Sequence, residues 1–258
     1  MNLETLIVKE APRQLIVTIF RPDRANSINA TLLQELDYVL DYADESETCR
    51  TVVLEGAPGL FCTGMDFVEV TANADHETTE VTQLSHYMRL LKRLTLSPRI
   101  IVSRLDGKVI AGGVGLVAAS DIVVSTHRTE FSLSEALWGL LPCCVLPYLI
   151  RRVGFQRAYL MTLTSRTLSA SDAYAIQLVD ELTENLDDTL RKLALRLNLL
   201  DDRTILDLKR YIRKIEGISP ETETLAINES VRLASQPHVK ENIANYVARG
   251  VFPWERTD

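Results

Sequence analysis

Apolar, β-branched runs at residues 3–9 and 15–20 open the chain and predict two strands. A polar break at 21–26 follows, and Asn29 stands where it can cap an amphipathic helix running to about residue 42. Residues 51–55 read as a buried strand ending in the glycine-bounded turn 56–59. The alternation then recurs, with 100–105 as strand, 112–119 as a glycine-rich helix and 122–125 as strand. Strands alternating with helices predict an α/β fold, a βαβ-type core with a largely parallel sheet. Residues 70–83 are polar and without firm periodicity; they read as a loop leading into a helix over 85–96. From residue 169 onward the apolar spacing becomes three and four, predicting helices over 169–178, 186–199, 204–216, 220–234 and 239–249. Gly217 and Pro220 mark a helix break within this helical last third.

At 258 residues the chain is long enough for one large domain or two small ones. With 46% hydrophobic and 24% charged residues, it has the composition of a soluble globular protein with a full core. A formal charge of -7, with no basic run to offset it, argues against nucleic acid as a partner and leaves room for a small anionic ligand. Residues 1–15 carry Glu4, Lys9, Glu10 and Arg13 and no continuous apolar stretch, so no secretory signal is expected. The uncharged run 136–150 contains Pro142 and Pro147 and is too short to span a membrane. Cys49, Cys62, Cys143 and Cys144 lack metal-ligand or CxxC spacing, which predicts reduced thiols, a cytoplasmic protein and no metal site.

Three short stretches carry the chemistry. Phe61-Cys62-Thr63-Gly64-Met65-Asp66 and the glycine-rich 107–115 each bring a backbone N–H to a turn or a helix start. Gly112 falls at the predicted helix N-terminus, where unpaired N–H groups and the dipole favour an anion. Phe131-Ser132-Leu133-Ser134-Glu135 adds one carboxylate in apolar surroundings, followed by Ala136-Leu137-Trp138. Two converging N–H donors suit a thioester carbonyl as it becomes an enolate, and a carboxylate beside them suits transfer of the α-proton. Each feature alone has a plainer reading: Gly64 as a turn residue, the glycines of 112–115 as close helix packing, Glu135 as a surface acid. The spacing matches neither GxGxxG nor GxxxxGK[ST].

Taken together, 61–66, 111–115 and 131–142 resemble the signature regions of the crotonase (enoyl-CoA hydratase/isomerase) superfamily, and the likeness runs along nearly the whole chain. The resemblance implies a spiral of repeated ββα units over residues 1–200. It also implies a helical C-terminal region, 201–258, that serves trimerisation and covers the pocket. It makes the N–H groups of Met65 and Gly112 the oxyanion donors, with Gly113 beside them, and Glu135 the acid/base. The early loop Arg21-Pro22-Asp23-Arg24-Ala25-Asn26 resembles one that helps bind the pantetheine and nucleotide parts of coenzyme A, which offers Arg24 to a phosphate. Tyr246 and Arg249 on the last helix are further candidates for contact with the pantetheine arm.

One departure is large. Typical hydratases of the superfamily carry a second glutamate where this chain has Gly115. The block 131–152 and the ending Gly250-Val251-Phe252-Pro253-Trp254-Glu255 look instead like the dehydratases of the β-branching cassette in polyketide biosynthesis. Those enzymes dehydrate 3-hydroxy-3-methylglutaryl on an acyl carrier protein, with phosphopantetheine carrying the substrate and no separate cofactor. By this resemblance Glu135 would serve as the single acid/base, in a homotrimer or dimer of trimers. Asp66, Cys143 and Tyr87 are alternative carriers of one proton step, against plainer readings of Asp66 as tying its turn and Cys143 as core packing. Arg89, Lys92 and Arg93 offer a cationic face for the substrate's distal carboxylate or for the carrier, or an ordinary exposed helix face. A CoA-linked hydratase or isomerase, a decarboxylase of the same cassette and a non-catalytic carrier-binding subunit stand as alternatives.

Overall fold

The computed structural model describes residues 3–72, 76–215 and 217–255. It opens with an antiparallel hairpin, β1 (Leu6–Ala11) and β2 (Gln14–Ile19). Asn29 then caps α1 (Ala30–Glu45), its side chain accepting from the Leu32 N–H at 2.9 Å. From here the chain repeats a strand-strand-helix unit. β3 (Thr51–Gly56) and β4 (Gly59–Cys62) lead into α2 (Phe67–Ala72) and α3 (His76–Leu96). β5 (Ile100–Leu105) and β6 (Gly107–Ile110) lead into α4 (Gly112–Ala119). β7 (Ile122–Ser125) and β8 (Glu130–Ser132) lead into α5 (Leu146–Val153) and α6 (Phe155–Thr164). A last partial unit holds β9 (Leu168–Ser169), α7 (Ala170–Ala175) and β10 (Glu181–Leu182).

In each of the three full units the first strand enters one sheet and the second enters another. The larger sheet has the order β1-β2-β3-β5-β7-β10 and the smaller β4-β6-β8-β9. Successive full units therefore add parallel strands to both sheets: Thr51 lies opposite Ile100 in the first, and Val109 lies opposite Phe131 in the second. This is the spiral of ββα units expected above. Strands covered on both faces read as unbroken apolar runs, which is why residues 51–54 and 100–103 are all buried. The same coiling stacks the ends of β4, β6 and β8 side by side, so three turns distant in sequence meet at one place.

α8 (Leu186–Leu197), α9 (Asp202–Ile215), α10 (Pro220–Ala234) and α11 (Pro237–Arg249) complete the chain before a short turn at Pro253–Glu255. α9 is tied to the larger sheet through Lys209, whose Nζ pairs with Asp121 at 2.6 Å and donates to the Arg99 carbonyl at 2.7 Å. α10 packs along α3, where Glu223 takes Lys92 at 3.0 Å and Arg213 at 2.5 Å.

The expected loop at 70–83 is corrected: α2 continues to Ala72 and α3 already begins at His76, while 73–75 lie outside the described residues, as does Glu216 at the end of the helix expected over 204–216. Among the α3 residues whose burial is described, Gln83, Tyr87, Met88, Leu90, Leu91 and Leu94 are buried. A helix nucleated by that packed face propagates one residue at a time into a polar segment, so its first turns need no apolar stripe.

Candidate active site

Two backbone turns come together at the ends of β4 and β6. Ile28 forms a parallel bridge with Met65, in which its N–H donates to the Gly64 carbonyl at 2.7 Å and its carbonyl accepts from the Asp66 N–H at 2.9 Å. In that pattern the Met65 N–H is on the opposite side of its strand from Ile28. Gly112 is the first residue of α4, so its N–H has no partner within the helix. Ala111, just before it, sits at φ +50° and ψ −120°, a conformation that costs an L-residue on the order of 1–3 kcal/mol. Its N–H is held by the Ser132 carbonyl at 2.9 Å and its own carbonyl by the Val114 N–H at 2.8 Å. The strained turn is thereby pinned at both ends, and it sets the direction of the Gly112 N–H.

Met65, Gly112 and Glu135 line one cavity of about 130 Å3. Glu135 begins a 3-10 turn (Glu135–Trp138) that Gly139 ends at φ +83°. Its Oε2 is shielded from solvent and has no hydrogen-bond partner among the described residues. Burial, only weakly opposed by one backbone hydrogen bond, pushes the Glu135 carboxyl up to about 7. An acid/base poised near neutrality both takes and returns a proton readily. Most of the remaining wall is apolar, from Phe67, Leu84, Leu140, Leu141 and Val145, with Gln83, Tyr87 and Ser230 as its neutral polar side chains.

A second, larger cavity of about 680 Å3 meets the first at Met65, Phe67, Ala111 and Glu135. It is polar toward solvent, where Asp23 and Arg24 line it, and aromatic within. There Trp138 makes edge contacts with Phe67 at 5.1 Å, Tyr246 at 5.2 Å and Trp254 at 5.8 Å between ring centroids. A long arm entering past Arg24 would deliver its end to Glu135 and the two amides.

The position of the missing second glutamate is filled by a tyrosine. Tyr87, 2% exposed on α3, donates its hydroxyl to the Gly112 carbonyl at 2.5 Å. Burial first, then the neighbouring Cys62, Cys144 and Glu135, hold its pKa well above 10, so it stays a donor. A Cβ built on Gly115 would lie 2.0 Å from Tyr87 Oη. No residue with a side chain fits there while Tyr87 keeps its place. Gly115→Ala is therefore expected to cost about 1–3 kcal/mol from overpacking, read by thermal unfolding. In Tyr87→Phe the atom in conflict is gone, so the same glycine replacement should cost at least about 0.5 kcal/mol less there. Strictly additive losses would show that the two positions are uncoupled.

Other expected residues fall in several places. Tyr87 and Cys143 line the inner cavity, and Arg24, Asp66 and Tyr246 the outer. Asp66 is fully engaged: Arg21 at 3.1 Å and Ser27 at 3.0 Å hold one oxygen, and the Glu69 N–H holds the other at 3.1 Å. It ties the turn and caps α2. Gly113 does not line either cavity; a Cβ there would meet the Cys62 carbonyl oxygen at 2.7 Å, which makes it a packing glycine. Arg249 is exposed and lines neither cavity. Of the two readings of Arg89, Lys92 and Arg93, the structure fits the ordinary helix face. Lys92 pairs with Glu223, Arg93 pairs with Asp37 at 3.1 Å and Asp41 at 2.5 Å, and Arg89 is exposed away from both cavities. Burial raises the Cys143 thiol and lifts Cys144 to about 11, leaving both as neutral wall groups. Among the described residues no cluster of three or more His, Cys, Asp or Glu could hold a metal ion, and no helix is long and apolar enough to cross a membrane.

Sequence reasoning missed Gln83, Ser230 and Ile243 of the inner wall. Trp138, Phe252 and Trp254 lie within the resembling blocks, and their rings cluster in the structure. The aromatic residues spaced around the last turn were the signal available for that cluster.

The sequence matches the family model described as enoyl-CoA hydratase/isomerase over residues 14–257. It is 36% identical over 255 residues to the bacillaene synthase dehydratase PksH of Bacillus subtilis, spanning 99% of this chain and 98% of that protein. A Bacillus subtilis crystal structure, described as a putative polyketide biosynthesis enoyl-CoA hydratase, superposes with a TM-score of 0.89 at 34% identity. That match covers 98% of this chain and 100% of the other. The enoyl-CoA hydratase EchA19 of Mycobacterium tuberculosis is 26% identical over 247 residues, covering 95% of this chain and 91% of that one.

Proposed function

The chain belongs to the enoyl-CoA hydratase/isomerase (crotonase) family, and from that premise we propose that it dehydrates 3-hydroxy-3-methylglutaryl on an acyl carrier protein, giving the 3-methylglutaconyl thioester of polyketide β-branching. The relation to PksH supports the reaction class. The observation that carries it is a single buried carboxyl, Glu135, sharing a cavity with two backbone donors while a tyrosine fills the room of a second acid.

The thioester carbonyl lies between the N–H groups of Met65 and Gly112. Ionised Glu135 takes the proton from the carbon next to the carbonyl, and the negative charge moves to the carbonyl oxygen, where the two amides meet it. The enolate then re-forms the carbonyl and the C=C bond as the C–O bond to the tertiary hydroxyl breaks. Glu135, now protonated, gives its proton to that leaving hydroxyl on the same face. Water departs and the carboxylate is restored. One group performs both transfers, which a syn elimination allows. Addition of water by a two-carboxylate site is disfavoured by Gly115 and Tyr87.

The outer cavity suits the phosphopantetheine arm, with Arg24 at its mouth for the phosphate and the Trp138 cluster along its length. No further cofactor is required, and the enzyme is cytoplasmic in this reading. Exposed apolar side chains on α6 (Phe155, Tyr159, Leu163) and α9 (Leu208, Tyr211, Ile215) support a homotrimer or dimer of trimers that buries them. The test is mass spectrometry of a carrier protein loaded with 3-hydroxy-3-methylglutaryl and incubated with the enzyme. A loss of one water with carbon dioxide retained is expected; an unchanged mass, or loss of carbon dioxide, would reject the reading.

A further inference from the structure

The proposed substrate ends in a carboxyl group, yet among the residues lining the inner cavity there is no lysine, arginine or histidine, and the one charged side chain is Glu135 itself. The far end of the acyl chain must therefore meet neutral polar groups. Three such oxygen- or nitrogen-bearing side chains line the wall: Tyr87, Ser230 and Gln83. Tyr87 has given its proton to the Gly112 carbonyl at 2.5 Å. Ser230 has given its own to the Ala226 carbonyl at 2.9 Å. Gln83 alone is uncommitted: it is 5% exposed, and its Oε1 is buried without a partner.

A buried carboxamide left unmatched is uncommon in a folded protein and calls for an explanation. Its two ends can exchange places by rotation about the last bond, so it presents two N–H donors and one carbonyl acceptor to the cavity. Gln83 also stands four residues before Tyr87 on α3, on the same face of the helix. That offset is about 6 Å of helix rise, close to the reach of a glutaryl chain from its thioester carbon to its far carboxyl. Tyr87 touches Gly112, the residue whose N–H faces the thioester oxygen. Gln83 thus lies about one acyl length along the wall from Tyr87.

Resting on the dehydratase reading above, we infer that the Gln83 carboxamide recognises the distal carboxyl group of the acyl chain, and so selects dicarboxylic acyl thioesters by neutral hydrogen bonds instead of an ion pair. The carboxyl accepts from the amide N–H, and its apolar surroundings strengthen that bond by excluding water. An acyl chain ending in methyl leaves the amide unmatched, which is how the site discriminates against it.

The test uses two unreactive ligands, 3-methylglutaryl-pantetheine and 3-methylbutyryl-pantetheine, titrated calorimetrically into the wild type and into Gln83→Leu. Wild type should bind the carboxyl-bearing ligand at least about tenfold more tightly. Gln83→Leu should lose that preference while binding the methyl-ended ligand within about twofold of wild type, which also shows that the variant is folded. A preference that persists in the variant, or that wild type lacks, overturns the assignment. If wild type prefers the carboxyl-bearing ligand through Gln83 but releases no water from the loaded carrier, the recognition stands and the dehydratase reading falls.

Discussion

Glutamine in place of Glu135 should leave an enzyme that binds the loaded carrier and turns it over about 10²–10⁴-fold more slowly, the range that one positioned acid/base group contributes. The upper part of that range is expected, because the same carboxyl serves both proton transfers and no second acid lines the inner cavity. The binding half of the result matters as much as the rate. Glutamine keeps the shape and one hydrogen-bond acceptor, so carrier affinity measured by titration should stay within a few-fold of wild type. A variant that turned over normally would move the chemistry to Tyr87 or Cys143; a wild type with no turnover on any thioester would leave a carrier-binding protein.

The same carboxyl gives the pH dependence a definite sign. Base action requires the ionised form, so kcat/KM should rise tenfold per pH unit below about 7 and level off above it. Stability moves the opposite way. The folded state holds the Glu135 proton up to about 7, against a usual 4.5, so this group's contribution is fully present below about 4.5 and lost as the pH rises through 7. That gap corresponds to about 3 kcal/mol. Glutamine does not titrate, so Glu135→Gln should gain stability relative to wild type by up to that amount between pH 4 and pH 8, followed by chemical denaturation. A difference that stayed flat with pH would mean that the carboxyl is solvated in the folded protein.

Strand 100–105 and helix 112–119 stand in the structure as the apolar pattern predicts, because each is a largely buried stretch of six or eight residues, and the four-residue strand 122–125 is legible from its place after that helix. The second sheet was invisible to that pattern. β4, β6 and β8 are only three or four residues long, shorter than the stretch over which alternation is distinct from chance. Their pairing is set by the coiling of the chain, which is a long-range property. The backbone parts of the site were legible, since Gly64 and Gly112 advertise turns and helix starts. The inner wall was not: Gln83 sits in a segment that reads as loop, and Ser230 lies on a distant helix that reaches the cavity only through the packing of α10 against α3. The two readings of Arg89, Lys92 and Arg93 could not be separated by sequence for a related reason. Charges three residues apart mark a helix face, but they do not say whether acidic partners such as Glu223 and Asp37 await them.

Gly64→Ala should lower kcat by about 10²–10³-fold, the loss seen when an oxyanion donor is removed. Gly64 holds φ +86°, which alanine adopts only under strain, and its new methyl would lie 2.7 Å from the Ala111 Cβ and 3.1 Å from the Gly112 nitrogen. Both contacts press on the turn that aims the second donor, and Gly64 itself precedes the first. Relief therefore separates the two N–H groups, and a thioester oxygen that bridged them would be left with one. Gly112→Ala is the comparison that isolates this cause. Its methyl meets the mobile end of Ile28 at 3.1 Å and no backbone atom closer than 3.5 Å, so a loss of no more than about tenfold is expected, since its N–H is kept. Circular dichroism and thermal unfolding should show Gly64→Ala still folded, about 1–3 kcal/mol less stable. Equal losses in the two variants would mean that crowding near the cavity, and not the spacing of the amides, limits the rate.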